Sequence, residues 1–461
     1  MHRTTDQQGT TRALNTGITG QPGPAIALLG ILIATASIGF EESLPVLSVG
    51  ITLQLPDILL LGSLGWIAVQ WLFVPEFRIA RTPLDRPLLI FYGVTLFSTL
   101  WAIVQSSVNI HIAIQATRVF SFYLTFFIVT NLIRDHQQLK FLLNGIFILA
   151  TIVAAAMIGQ YVLGDSVQLV SGPAGGLEQT VGRVSGPVVR IAPPGFSIVM
   201  VSFMAVVCTL VCDRFKPISL VRFLQCGLLG MALTVTFFRS YWAALVVVLC
   251  LMVFLVKPAD RRRLMGWGVI AMSPAVFVLL VVFAAPSLPV SRLVAASWDR
   301  LSTVASIKTF KGGGDSSYDF RRLENEYAFS AIVANPVIGL GMGAAYRRLD
   351  PRLDGFRADN FSDRTTSIHN SHLLLLLQSG LLGYFSFVWL SLVFLLRGFR
   401  GWRKIPDDHM RAVVLSLTLV YLALLIAAGA NSLFMQSYWT PVIGIILGVN
   451  ELILRKVRAE G

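Results

Sequence analysis

The chain has 461 residues, of which 55% are hydrophobic and only 13% charged, with a formal net charge of +13. That balance leaves too little polar surface to cover a core in water, so an ordinary soluble domain is excluded. The positive charge is no sign of a nucleic-acid partner: in so apolar a chain it marks basic cytoplasmic connections.

Apolar runs long enough to cross a hydrocarbon layer of about 30 Å, which takes roughly 20 helical residues, recur along nearly the whole sequence. Inside lipid the backbone must satisfy its own hydrogen bonds, which forces helices. The expected class is therefore an all-α integral membrane protein with about 12 transmembrane helices and one large, partly helical extracytoplasmic loop. The predicted spans fall near 26–43, 57–75, 87–105, 118–133, 140–162, 195–212, 221–238, 240–256, 264–285, 370–397, 412–429 and 436–454. The first 25 residues are polar, and the apolar run after them reads as the first span and not as a cleavable signal.

Basic residues alternate between connections. Arg78, Arg81 and Arg86 follow the second span, Arg214, Lys216 and Arg222 the sixth, and Lys257 with Arg261, Arg262 and Arg263 the eighth. The stretch from Arg397 to Arg411 and the tail with Arg455, Lys456 and Arg458 continue the series. The connections 44–56, 106–117 and 430–435 contain no Lys or Arg. The positive-inside rule then puts both termini in the cytoplasm. This topology depends on a break inside 221–256, whose 36 residues would run roughly 54 Å at about 1.5 Å per residue. That is too long for one crossing, so a hairpin is predicted with Phe237 to Trp242 at its outer tip.

Two segments then lie outside. The first, 164–194, is rich in Gly, Pro and Ser and carries Arg183 and Arg190. The second, 286–369, has 11 Lys or Arg against 9 Asp or Glu. One helix is predicted in it from Val290, Leu293, Val294, Trp298, Leu301 and Val304. A second is predicted from Phe320, Leu323, Tyr327 and Ala331, ending before Asn335-Pro336. The expected organisation is an N-terminal bundle over 1–285, this loop over 286–369 and a C-terminal bundle over 370–461. There is no internal repeat. Cys208, Cys212, Cys226 and Cys250 all fall in apolar runs without His or carboxylate at ligand spacing, which predicts packing and not a metal site or disulfides.

Four features could carry chemistry. Arg239 is flanked by apolar sequence, and such a charge is either functional or an interfacial arginine reaching lipid phosphate. In Arg321-Arg322-Leu323-Glu324-Asn325-Glu326-Tyr327, helical spacing would pair Arg321 with Glu324 and Arg322 with Glu326, an ordinary solvated face from spacing alone. Asn335 to Gly343 breaks a helix and permits tight turns, without the strand–turn–helix setting of a dinucleotide site. Ser367 to His372 ends a loop before a Leu-rich span: His369 could be a general base, or Asn370 or Ser371 a simple helix cap.

Together, Arg239 at a hairpin tip, an Arg-rich helix, Pro-x-x-Gly-x-Gly and His-Asn before a span containing Gly-Leu-Leu-Gly resemble the O-antigen ligase and polymerase superfamily. Those bacterial membrane enzymes move glycans from a polyprenyl diphosphate. The resemblance rests on 236–245, 321–343 and 367–383. It implies an enzyme of the cytoplasmic (inner) membrane, with its active site facing the periplasm or cell exterior. The implied partners are an undecaprenyl-diphosphate-linked glycan donor, a glycan or lipid A-core acceptor and membrane lipids; the resemblance implies no metal and no cofactor.

Arg239 and His369 match the family's span-edge arginine and loop histidine. Either Arg321 or Arg322 matches its loop arginine, with Arg321 favoured by the Arg-x-x-Glu pattern. Arg322, Arg183, Arg190 and Asn370 are the further candidates for substrate binding. One departure is Phe-Arg-Ser-Tyr-Trp at 238–242, where many relatives have a Ser-Arg-Gly-like turn. The Arg-x-x-Glu helix and the Gly-x-Gly-x-Gly-Ala-x-Tyr stretch at 339–346 resemble polymerase relatives more than ligases.

Arginine's planar fork suits diphosphate oxygens, and His369 would take the acceptor's proton in an inverting attack. Two rivals remain. A lipid-linked oligosaccharide flippase should show ionisable residues along several spans or interrupted helices in matched halves. A metal-dependent membrane glycosyltransferase would use acids in the first outer loop, where Glu41 and Glu42 sit.

Overall fold

The computed structural model describes residues 23–36, 47–48, 52–105, 107–164, 167–170, 190–212, 220–266, 316–350 and 365–460. Within them the regular secondary structure is helical, apart from a two-residue antiparallel pairing of Leu47 with Leu53 and Ser48 with Thr52. In chain order the helices are α1 (Gly23–Thr35), α2 (Leu55–Phe73), α3 (Asp85–Val104), α4 (Ile110–Ser121), α5 (Thr125–Leu132) and α6 (His136–Leu163). They continue with α7 (Phe196–Cys212), α8 (Leu220–Thr234), α9 (Arg239–Leu255), α10 (Ser316–Ala334), α11 (Ser371–Gly401), α12 (Asp408–Ala427) and α13 (Thr440–Glu460).

Each predicted span but 264–285 overlaps these helices, with 118–133 divided between α4 and α5 and residues 37–43 of the first span outside the described residues; 264–285, apart from its first three residues, lies outside them too. The loop helix predicted from Val290 to Val304 also lies outside them. Among the described residues six helical stretches are long and apolar enough to cross a membrane, and α1, α7, α8 and α9 are shorter apolar helices. The chain is thus an all-α, multi-pass membrane protein. Two boundaries differ from expectation. The connection 106–117 is already helical from Ile110, where the Asn109 side chain accepts a hydrogen bond from the His111 backbone N–H. The hairpin break sits at 235–238, and Arg239 opens the next helix.

The helices bury themselves in graded fashion. α12 is buried along nearly its whole length, against α7, α9, α11 and α13. By contrast, α2 and α3 expose Leu72, Phe73, Leu100 and Val104 on their outer faces, as surfaces meeting lipid should. Cys208 and Cys212 are buried on α7, with the Cys208 sulfur 3.9 Å from that of Met252 on α9. The basic connections collect at one end: the guanidinium of Arg134 lies over Phe77, Arg455 donates to the Thr130 carbonyl, and Arg403 to that of Leu255.

The loop after α10 enters α11. At Gly380 the helix is interrupted, with φ +63° and ψ −169°. The carbonyls and amides freed there are satisfied by the segment 336–341. Leu340 and Gly341 donate to the Leu377 and Gln378 carbonyls at 2.8 and 3.0 Å. Leu381 and Leu382 donate back to Pro336 and Val337 at 2.8 and 3.3 Å. Ser98 of α3 adds a hydroxyl bond to Gln378 at 2.7 Å. Irregular backbone is tolerated at membrane depth only when protein satisfies it in this way. Gly339 and Gly341, at φ +79° and +83°, let the loop approach this closely.

A β-carbon on Gly380 would stand 2.2 Å from the Val337 carbonyl oxygen, at a φ that alanine disfavours. Gly380→Ala should therefore destabilise the protein by about 2 kcal/mol or more, seen as a lower melting temperature in detergent. Gly93→Ala, where a β-carbon meets open space, is the control and should be neutral. Equal melting of the two variants would show that the interruption is not structural.

Candidate active site

At the end of the bundle away from the basic connections, the starts of α9 and α11 meet the connection between α12 and α13. The Asn370 side chain caps α11, accepting from the His372 and Leu373 amides at 3.1 and 3.2 Å. Asn431 joins the two helix starts. Its side-chain Nδ2 donates to the Ser240 hydroxyl at 2.7 Å, and its backbone carbonyl accepts from both the amide and the hydroxyl of Ser371, at 3.0 and 2.6 Å. The neighbour of Arg239 and the residue two after His369 thus share one asparagine.

Arg239 is half-buried as the first residue of α9, whose N-terminus has no side-chain cap. The turn before it is unusual. Phe237 has φ +49°, the one non-glycine residue at positive φ among the described residues. A bulky side chain tolerates this only where its surroundings over-determine it. Phe237 is buried, the Trp242 indole donates to the Leu233 carbonyl at 2.9 Å, and Arg190 donates to the Thr236 carbonyl at 2.9 Å. The Phe-Arg-Ser-Tyr-Trp sequence therefore makes its tight turn two residues ahead of the arginine and without glycine.

His369 meets Glu324. The ring Nδ1 lies 3.0 and 3.2 Å from the two carboxylate oxygens, and the His369 backbone N–H reaches Oε2 at 3.3 Å. The Glu324 side chain is 4% exposed and that of His369 52%. If Glu324 is ionised it can only accept, so the Nδ1–H donates to it and Nε2 is the ring nitrogen left for other chemistry. Phe320 sets its ring edge-on to the imidazole, with centroids 5.8 Å apart. Beneath the pair, Ala328, Ile332, Tyr346, Ile368, Leu374 and Leu377 form a separate apolar core that fixes α10 on α11.

The other predicted positions scatter. Arg321 is half-buried, one turn before Glu324 on α10. Arg322 pairs with Glu326 at 3.1 Å on an exposed face, as its spacing predicted. Arg190 lies against the turn before Arg239, its guanidinium 3.6 Å from the Phe238 ring centroid. The Phe196 ring centroid lies 5.1 Å from that of Phe238 and 5.9 Å from that of Tyr438, which brings the α12–α13 connection to the same place. Arg183, Glu41 and Glu42 lie outside the described residues. His372 is packed: its Nε2 faces the Leu425 carbonyl at 3.0 Å and its Nδ1 the Tyr384 hydroxyl at 3.4 Å. Among the described residues no cluster of three or more His, Cys, Asp or Glu could hold a metal ion.

Sequence reasoning overlooked Glu324 as a site residue and Asn431 altogether. For Glu324 there was a signal. It stands four and eight residues before Ala328 and Ile332, so an acid shares the buried stripe of α10.

With this geometry in hand, residues 224–388 match the family model described as O-antigen ligase. The matched segment runs from α8 through the interruption of α11 and contains Arg239, Arg321, Glu324, His369 and Asn370. It supports the resemblance to the O-antigen ligase and polymerase superfamily. No curated protein matches the chain.

Proposed function

Since residues 224–388 carry the family's signature, we propose that the protein transfers a glycan from an undecaprenyl-diphosphate-linked donor to a sugar hydroxyl, on the outer face of a bacterial cytoplasmic membrane. The observation that carries this reading is the His369–Glu324 pair, a half-exposed imidazole held by a buried carboxylate inside the matched segment. The acceptor hydroxyl attacks the anomeric carbon and gives its proton to His369 Nε2. The bond from that carbon to the diphosphate oxygen breaks, and configuration inverts. Arg239 and Arg321 offset the charge that develops on the leaving diphosphate, which needs fixed donors and no metal.

In this reading α1 to α9 and α11 to α13 hold the lipid carrier and acceptor, and the 286–369 segment brings the catalytic groups over them. A polymerase, extending another lipid-linked glycan for a surface or exopolysaccharide, is favoured over a ligase that loads a lipopolysaccharide core. One observation bears on the flippase alternative: α11 is interrupted, as transporter helices often are. Its gap is filled by the 336–341 backbone, however.

The test is transfer by purified protein in lipid nanodiscs, using a synthetic lipid-linked donor with and without a chelator. Product of inverted configuration should form at undiminished rate after chelation. Activity that is lost on chelation, restored by a divalent ion and absent in Glu41→Gln or Glu42→Gln would replace this reading with the metal-dependent one.

A further inference from the structure

The basic end of the bundle contains a second site, roughly 40 Å from the α11 N-terminus at about 1.5 Å per helical residue. There α11 and α13 part around a cleft of about 300 Å³. One wall is apolar, made by Leu396, Leu454 and Val457, and Leu396 is largely exposed on the lipid-facing side. The rest of the lining carries Arg397, Arg400 and Lys404.

The three cations are not equivalent. Arg397 is bound two-pronged by Glu451, with Nη2 2.9 Å from Oε2, and their side chains are 16% and 1% exposed. That pair is neutral and rigid, and forms the floor. Arg400 and Lys404 follow one and two turns later, both exposed at the mouth, and neither forms an ion pair among the described residues. The two acids on the connection to α12 have other contacts: Asp408 with Arg411, and Asp407 as the cap of α12. Arg403 is directed elsewhere, to the Leu255 carbonyl and the Trp402 ring. Two cations without an ion-pair partner among the described residues therefore stand over an apolar wall.

We propose that this cleft binds an anionic phospholipid from the adjacent leaflet. The phosphodiester oxygens would bridge the Arg400 guanidinium and the Lys404 ammonium, and the upper acyl chain would lie along Leu396, Leu454 and Val457. A guanidinium fork and a mobile ammonium together suit a phosphodiester, and basic pockets between membrane helices are known headgroup sites. A free anion would leave the apolar wall in water, so the two halves of the cleft select an amphiphile. The site is independent of glycan transfer and does not rest on that reading.

Native mass spectrometry in a zwitterionic detergent tests it, with phosphatidylglycerol, phosphatidylcholine of the same chains and inorganic phosphate added in turn. Phosphatidylglycerol should be retained by the wild type, and the other two should not. Arg400→Gln with Lys404→Gln should weaken retention roughly 30-fold, about 5-fold per charge near a membrane surface. Arg262→Gln with Arg263→Gln, on the exposed 257–263 connection, should leave it unchanged. Equal retention of the two lipids, an unaffected double variant, or an equal loss in the control pair would each overturn the proposal. Retention of inorganic phosphate as strong as that of phosphatidylglycerol would make the cleft a simple anion site.

Discussion

Replacing His369 with alanine should lower glycan transfer by about 10²–10⁴-fold, the usual cost of removing a general base, while donor binding and protein yield persist. The expectation rests on the imidazole's geometry. Glu324 reaches both Nδ1 and the His369 amide, which favours the tautomer with Nδ1–H donating to the carboxylate and Nε2 as the proton acceptor of the proposed mechanism. Glu324→Gln is the sharper variant. Its amide can donate to Nδ1, which would move the proton to Nε2 and leave nothing there to accept one from the acceptor sugar. Transfer should then fall nearly as far as in His369→Ala, although the buried volume is almost unchanged. His372→Ala serves as the control, because that ring is spent on the Leu425 carbonyl and Tyr384. It should lose stability, by about 1 kcal/mol for one hydrogen bond, and keep most of its activity. If His369→Ala and Glu324→Gln transfer as well as His372→Ala, the pair is a structural clasp between α10 and α11 and the base lies elsewhere.

The spans, the hairpin break and the helix ending before Asn335-Pro336 were legible because each depends on local hydropathy or a breaker residue. The phase of α10 was harder. Taking Phe320, Leu323, Tyr327 and Ala331 as the inner face sets the helix one residue, or 100°, away from its most buried stripe of Glu324, Ala328 and Ile332. With that offset Glu324 looks solvated and available to Arg321, and its contact with His369 cannot be seen. Amphipathic counting favours the apolar phase, so a buried carboxylate is the residue it is bound to misplace. The interruption at Gly380 was hidden for another reason. Its hydrogen bonds come from 336–341 and from Ser98, 280 residues away in sequence, and no periodicity reports a partner so distant. Asn431 lay in a short connection valued only for lacking Lys and Arg, yet it ties Ser240 to Ser371.

Arg239 should be as indispensable as the histidine. Arg239→Ala is expected to reduce transfer by at least 10²–10³-fold, the cost of removing one preorganised donor to a developing oxyanion, with the protein still inserted and folded. The side chain opens α9 where no other side chain caps the helix, so its charge adds to the positive end of the helix dipole. Asn431 holds this helix start beside that of α11, which His369 closely precedes. Arg190 cannot replace it, because its guanidinium is committed to the Thr236 carbonyl and the Phe238 ring. Lysine should rescue poorly, since a point charge cannot grip two diphosphate oxygens as a planar fork does. On α10 the order should be Arg321→Ala well below Arg322→Ala, because Arg322 is already paired with Glu326 on the exposed face. Donor titrations with each variant separate binding from chemistry: a transition-state role lowers kcat more than it raises KM. Should Arg239→Ala and Arg239→Lys both transfer at the wild-type rate, Arg239 would be an anchor to lipid phosphate, and the leaving diphosphate would depend on Arg321 and the α9 N-terminus.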